Sequence, residues 1–532
     1  MLGWPIGMDR RLACLYVLLV AVAAFALFAN LDDRFLWGDE SHSAYLAQNI
    51  VRFGLPLASD GVNDLAQYGR DTWTSRSGAW IWTPWLAEYL AAGSFLLFGE
   101  TTFAARLPFA VIAFLSVLLF ARLVYRVYGS HELALSATLL YVTCVPLLLH
   151  SRQCRYYALV LFAQVWLLFG FHRVVRRDRM RGALHLGAAL TVQFYSNYLV
   201  VPANMLALVV AALLLRRRLP GVVPGVGLGV ALALAAAVPW LLYANPLGQA
   251  GVMGAASPLR IGGFFLRAVH FHIVPLAIFL LAPLAIRRGW ARREAGSDPA
   301  ARAVDLLLLL IVSASLVLLS ITASFFRYLI PLIPVLLLLA ARVVDGSLRP
   351  WLLRVAVIAL LAFTNLFSVA TGWWAADVPR LASPLLRYVR SITTPYTNRS
   401  ESVIRFLWDR ARPGESLYSA SVEAPIMFYT DLRVIDARAH RQLDPDDLPD
   451  WIFPKPTGVK AVAIRQREGQ LTRLVERSYE RIELDVPATP IQGVRPDPKL
   501  HEFFTAPEYE AFVIFRKKRP GRDESRATRS EP

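Results

Sequence analysis

Asp39 and Glu40 stand side by side in the run Trp37-Gly38-Asp39-Glu40-Ser41-His42, directly after the first long apolar segment. A carboxylate at the water edge of a bilayer can act on a substrate held in the membrane. The structural alternative is a helix N-cap, in which Asp39 accepts a backbone N–H of the helix it starts and the acids suit that helix's positive end. An amphipathic run from Ser43 to Phe53, ended by Gly54, supplies the helix. His42 lies three residues after Asp39 and shares its helical face, where it is either the third residue of that helix or a substrate contact.

Two further stretches set arginine beside tyrosine between apolar runs: His150-Ser151-Arg152-Gln153-Cys154-Arg155-Tyr156-Tyr157 and Ser324-Phe325-Phe326-Arg327-Tyr328-Leu329-Ile330-Pro331. One such loop alone reads as snorkelling interface anchors. Two on the same side as Asp39 and Glu40 favour a site. An arginine deep in a helix costs about 2.5–3.5 kcal/mol on insertion scales and therefore calls for a partner. Guanidiniums bind phosphate in bidentate fashion, and a phosphate at a membrane surface points to a lipid phosphate. The sum is a carboxylate base opposite several guanidiniums.

The elements that must position these groups follow from composition. The chain has 532 residues, is 56% hydrophobic and has a mean hydropathy of +0.44. That excludes a soluble enzyme and indicates a polytopic α-helical membrane protein. The net charge of +17 does not indicate nucleic acid, because the arginines cluster between apolar runs, as the positive-inside rule expects. The first lysine is Lys455. Cys14, Cys144 and Cys154 give no disulfide framework. Arg10 and Arg11 precede the apolar run 12–31, which reads as an uncleaved signal anchor.

Residues 32–103 form a long first external loop. Its segment 83–98 is apolar but short and contains Glu88, so it reads as interfacial or re-entrant. Further spans are expected at 105–125, 133–149, 156–172, 183–197, 199–215, 221–243, 264–286, 304–323, 328–343 and 351–373, making about eleven with the first. With the N-terminus cytoplasmic, the dense arginine clusters fall in cytoplasmic loops only if 183–215 is two short helices broken at Asn197-Tyr198. The odd count then places the C-terminus outside. Residues 1–373 are therefore read as the membrane domain and 374–515 as a small extracytoplasmic α/β domain. A charged tail, 516–532, is expected to be disordered. Within the α/β domain a helix is expected at Glu401–Arg410 and strands at Ser416–Ala420, Val459–Ile464 and Ala511–Phe515, with a turn at Arg412-Pro413-Gly414.

Taken in order, these motifs resemble the GT-C glycosyltransferases, in the branch of the protein O-mannosyltransferases and the aminoarabinose transferase of lipid A. The elements are Asp39-Glu40, then Thr83-Pro84-Trp85 through Leu97-Phe98-Gly99, then Ala105-Arg106-Leu107-Pro108, with Ser151–Tyr157 and Arg327–Pro331 as further landmarks. The resemblance runs from about residue 10 to 345. It implies a sugar carried on a polyprenyl monophosphate and moved with inversion to an acceptor hydroxyl on the non-cytoplasmic face of the cell membrane.

By this resemblance Asp39 is the general base, and Arg152, Arg155, Tyr156, Arg327 and Tyr328 receive the lipid phosphate. Glu40 orients the acceptor or helps hold a divalent cation; no other cofactor is implied. Where the aminoarabinose transferase has Lys-Pro-Pro, this chain has Thr83-Pro84-Trp85. The nearby Arg76 is a candidate substrate contact. The acceptor stays open between glycan, lipid and protein. A transporter of lipid-linked sugars is the competing reading, but it leaves Asp39 idle, and no matching halves are evident.

Overall fold

The computed structural model describes residues 9–246, 257–291, 298–319, 325–395, 397–419, 423–437, 439, 447–453, 477–487 and 509–518. Among these, seven helices are long and apolar enough to cross a membrane, or nine if each of two sharply bent pairs is one span. The expected eleven is not reached. The helix Trp351–Phe363 has only 13 residues, and by length alone the stretch Arg179–Leu215 counts once, as 37 residues, although it is broken at Asn197. Single spans expected at 133–149 and 264–286 are bent pairs instead. His131–Thr143 meets Val145–Ser151 at 62°, and Pro258–His272 meets Leu276–Arg288 at 87°. Pro146 opens the second piece of the first pair, where Cys144 is in extended backbone. A proline lacks the N–H that would continue the helix through that point.

The stretch 179–215 carries the expected break. Asn197 is extended (φ −155°), its side chain accepts from Leu199 N–H, and a 3-10 turn at Tyr198–Val200 leads into the helix Val201–Leu215. A straight helix would set the two ends of this stretch about 55 Å apart at 1.5 Å per residue. Instead Arg179, at the start, donates to the carbonyl of Pro220, just beyond the end, at 3.0 Å. The chain has folded back on itself. The next helix, Val222–Ala244, lies against Arg179–Asn197, and glycines set the spacing. A Cβ on Gly229 would come within 2.7 Å of the Leu186 Cβ, and one on Gly187 within 3.0 Å of the Leu232 Cβ. Small residues that let backbones approach are how helices associate where lipid removes the hydrophobic drive.

The segment expected to be interfacial forms a helix, Leu86–Phe98, of 13 residues. At about 20 Å it is too short to cross a core of about 30 Å. It packs on the acidic helix Gly38–Phe53.

The small C-terminal domain is a five-stranded sheet: β1 (Ser416–Ser419), β2 (Arg433–Asp436), β3 (Trp451–Phe453), β4 (Tyr479–Pro487) and β5 (Tyr509–Lys517), in the order β2-β1-β3-β5-β4. The strands β2, β1 and β3 are parallel, while β5 runs antiparallel to β3 and β4. The run Val459–Ile464 and residues 519–532 of the tail lie outside the described residues. The edge strand β2 is closed by side chains of the first loop. Asn63 donates to Leu432 O (3.0 Å) and accepts from Val434 N–H (2.7 Å). Gln67 pairs with Val434 O and Asp436 N–H in the same way, both at 2.9 Å. Two amide side chains thus substitute for a neighbouring strand and leave less free edge.

The fold-back at Asn197 is testable by cysteine labelling. In a chain whose three native cysteines are replaced by serine, Arg181→Cys and Arg216→Cys should react with an impermeant maleimide from the same side of the membrane. Reaction from opposite sides would mean a single spanning rod.

Candidate active site

The acidic helix begins at Gly38, one residue before the pair, and its N-cap is Trp37. Glu40, not Asp39, reaches back to the capping residue, accepting from Trp37 N–H at 3.3 Å. The expected cap is therefore present but made by the other acid. Successive residues on a helix point about 100° apart, and here that separates the two carboxylates completely.

Glu40 is fully buried. Arg106 grips it with two hydrogen bonds, Nε to Oε1 at 2.9 Å and Nη2 to Oε2 at 2.8 Å. Cys154 N–H adds a third donor at 2.9 Å. The remaining donors of Arg106 go to the carbonyls of Leu31 (2.7 Å), Arg34 (2.9 Å) and Phe35 (3.4 Å). This pair ties together the acidic helix, the helix Thr102–Tyr128, the end of the first helix and the arginine loop. The motif Ala105-Arg106-Leu107-Pro108 was legible in the sequence. Its arginine, opening an apolar span, was the signal that a buried acid had to face it.

Asp39 is different. Its side chain is 32% exposed and faces two guanidiniums on one oxygen. Arg327 Nη1 donates to Oδ2 at 2.7 Å, and Arg155 Nη2 lies 3.9 Å from the same atom. The Arg327 guanidinium rests over the rings of Phe325 (4.4 Å) and Tyr328 (5.9 Å). Tyr157 lies close enough to Arg327 for their charges to interact. Arg155 lies 5.4 Å from the Tyr156 ring centre. Asp39, Arg155, Tyr156, Arg327 and Tyr328 are thus brought together from three separate parts of the chain.

Three other expected residues are placed elsewhere. Arg152 caps the end of the first helix, donating to the carbonyls of Ala26 (3.0 Å), Ala29 (2.5 Å) and Asn30 (3.0 Å). It lines a polar pocket with Asp33, Arg34 and Tyr388, not with Asp39. Arg76 is exposed in a tight turn closed by Gly78 N–H on Ser75 O. Among the described residues no hydrogen bond or ion pair links it to Asp39. His42 sits edge-on to Trp80, their ring centres 6.1 Å apart.

Glu88 was noted in the sequence only as a charge in an apolar segment. It is buried beside the site and accepts from Ser43 Oγ at 3.2 Å. Burial pushes its carboxyl up to about 7, against the lowering pull of Arg155. Among the described residues no group of three or more His, Cys, Asp or Glu could hold a metal ion. The donors present do not fit a resident cation, because Glu40 is saturated by N–H groups and Asp39 faces two positive charges.

Removing Arg106 would leave a buried carboxylate unpaired, a change worth about 3–5 kcal/mol in comparable buried pairs. Arg106→Ala should lower the detergent-solubilised melting temperature sharply or abolish folding. Arg76→Ala, at an exposed turn, should leave it within about a degree, since such surface changes stay within roughly 0.5 kcal/mol. A stable Arg106→Ala protein would contradict the structural role.

Residues 83–243 match the family model described as dolichyl-phosphate-mannose-protein mannosyltransferase, a segment that contains Arg106, Arg152 and Arg155 but neither Asp39 nor Arg327. No curated protein matches the chain in sequence. Among solved structures the chain is similar to ArnT from Cupriavidus metallidurans in two forms. The form bound to undecaprenyl phosphate is 19% identical, with 94% of this chain and 97% of that chain covered and a TM-score of 0.52. The apo form is 18% identical, with 94% and 98% covered and a TM-score of 0.53. The resemblance read from the motifs is borne out: the chain has the GT-C glycosyltransferase fold.

Proposed function

We propose that this chain is a membrane glycosyltransferase. It moves a sugar from a polyprenyl monophosphate to an acceptor hydroxyl on the non-cytoplasmic face, with Asp39 as general base. The observation that carries the reading is the Asp39 carboxylate, partly open to solvent and held between Arg327 and Arg155. The fold it shares with ArnT, solved bound to undecaprenyl phosphate, supports the class of donor.

In the donor-free state Asp39 occupies the two guanidiniums as a phosphate would. An arriving lipid phosphate competes for Arg327 and Arg155, for which it offers bidentate geometry. As they turn to the phosphate, the Asp39 lone pair becomes free for the acceptor O–H. The acceptor oxygen then attacks the anomeric carbon opposite the phosphate, its proton passes to Asp39, and the carbon–oxygen bond to phosphate breaks. The charge that develops on the departing phosphate is met by guanidiniums and by the tyrosines beside them. Glu40 and Arg152 serve by holding the helix and loop that carry Asp39 and Arg155. His42 and Arg76 lie on the side of the first loop, where an acceptor would approach.

Beside Tyr328 a groove lined by Leu199, Val200, Ala203, Leu318, Leu319 and Leu332 would take the isoprenyl tail. The orientation follows from the arginine clusters, with the N-terminus cytoplasmic and the sheet domain outside the cytoplasm. The domain division is at about residue 374, and the sheet domain, joined to the first loop through Asn63 and Gln67, would help choose the acceptor.

Mass spectrometry of copurifying lipids tests this directly. The wild type should carry a polyprenyl phosphate or its glycosylated form, and Arg155→Ala/Arg327→Ala should lose it. Asp39→Asn should keep the lipid while transfer to acceptors in an envelope extract falls by at least about 100-fold, the low end for a lost general base. A diphosphate-linked glycan on the wild type, or full turnover in Asp39→Asn, would overturn the assignment.

A further inference from the structure

Behind Arg155 of the Asp39 site lie two buried polar residues, Ser43 and Glu88, that the proposed mechanism does not use. Ser43 is one turn after Asp39 on the same helix and is 1% exposed. Its hydroxyl donates to Glu88 Oε1 at 3.2 Å and accepts from Arg155 Nη1 at 3.0 Å. Arg155 Nη2 in turn lies 3.9 Å from Asp39 Oδ2. Glu88 belongs to the short helix Leu86–Phe98, so these contacts join three separate elements at the site.

Two atoms of these residues are buried without a hydrogen-bond partner among the described residues: Glu88 Oε2 and Arg155 Nε. Each such atom has lost its hydrogen bonds to water with no partner in return. An apolar side chain at position 88 would fill the space without that cost, so the carboxylate does not serve stability.

We propose that Glu88 is a positioning residue: through the Ser43 hydroxyl it fixes where the Arg155 guanidinium points, and by its charge it limits how strongly that guanidinium draws a substrate phosphate. The inference rests on reading the Asp39 site as a lipid-phosphate site. The direction follows from the hydrogen-bond inventory. A hydroxyl has one hydrogen; with that hydrogen given to Glu88, the Ser43 lone pairs are left to receive Arg155. The Glu88 charge opposes an incoming phosphate and competes for Arg155. Phosphate binding should therefore favour a neutral Glu88.

The groups around Glu88 are few. Arg155 is the charged side chain that acts on it most strongly. The acidic helix brings Asp39 and Glu40, of which Glu40 is neutralised by Arg106 from the helix Thr102–Tyr128. The Cys154 thiol lies close by. The helix Arg179–Asn197 brings Tyr195, whose hydroxyl is given to the carbonyl of Ala236. The carboxyl's upward displacement to about 7 places the change in its charge within a workable pH range.

The test is undecaprenyl phosphate binding to the full-length protein in nanodiscs, measured for wild type and Glu88→Gln between about pH 5.5 and pH 8.5, on either side of that range. Taking the ratio of the two dissociation constants cancels the ligand's own ionisation. Wild type divided by Glu88→Gln should be near one at the acid end and rise several-fold at the alkaline end. A ratio independent of pH would overturn the proposal, since a merely structural carboxylate predicts a constant offset. Ser43→Ala provides a second arm: it should weaken binding several-fold at both ends, because Arg155 loses its guide. Unchanged binding in that variant would also overturn it. Absence of wild-type binding, or binding that survives Arg155→Ala/Arg327→Ala, would instead refute the phosphate site itself.

Discussion

Glu40 has been taken fully out of water in a chain that is 56% hydrophobic. A buried carboxylate is tolerable only when its charge and all its lone pairs are met. Arg106 meets the charge from 66 residues away, and backbone N–H groups of Trp37 and Cys154 meet what is left. The donors that Arg106 does not spend on Glu40 fasten the chain entering the acidic helix at Leu31, Arg34 and Phe35. Two of the elements that carry the neighbouring site are fixed by this pair. The acidic helix carries Asp39 and Ser43, and the loop fixed by Cys154 carries Arg155.

The same geometry explains why two adjacent acids behave so differently. Helical rotation turns Glu40 into the packed interior and Asp39 toward the arginine loops. Glu40 is locked by bidentate bonds in a dry setting. Asp39 keeps partial access to water between two guanidiniums. The arginines divide in a parallel way. Arg152 spends its donors on carbonyls at the end of the first helix and is committed to the fold. Arg155 and Arg327 turn their guanidiniums to the partly exposed Asp39 carboxylate instead.

The sheet domain is held to this arrangement by polar as well as apolar contacts. Tyr429 accepts from Leu36 N–H at 2.9 Å and shares a hydrogen bond of 2.7 Å with Thr102, and its ring stacks on Phe35. Tyr45 and Leu46 of the acidic helix lie in one hydrophobic cluster with Leu417, Val434 and Trp451 of the sheet. The first loop is thus sandwiched between membrane helices and sheet. That leaves the loop little freedom to move independently of either.

Much of this was legible in the chain itself, because much of it is local. The length of an apolar run, the spacing of arginine clusters and the residues beside Asn197 act over a few turns of chain, so they revealed the membrane class, the fold-back and a short apolar helix at Leu86–Phe98. Motif order carried the fold family. The count of eleven spans is not confirmed: among the described residues two of the expected spans are sharply bent pairs, and one apolar helix has only 13 residues. Which arginine serves which acid was not legible. Arg152 and Arg155 stand three residues apart in one loop with the same apparent chemistry, and only packing sends one to a helix end and the other to the site. Asp39 meets Arg327 across 288 residues, and Glu88 is hydrogen-bonded to Arg155 through Ser43. Sequence determined which short stretches set charges beside apolar runs. Tertiary structure decided their partners, because the energy of a buried charge depends on atoms within a few ångströms in space, however far apart they lie along the chain.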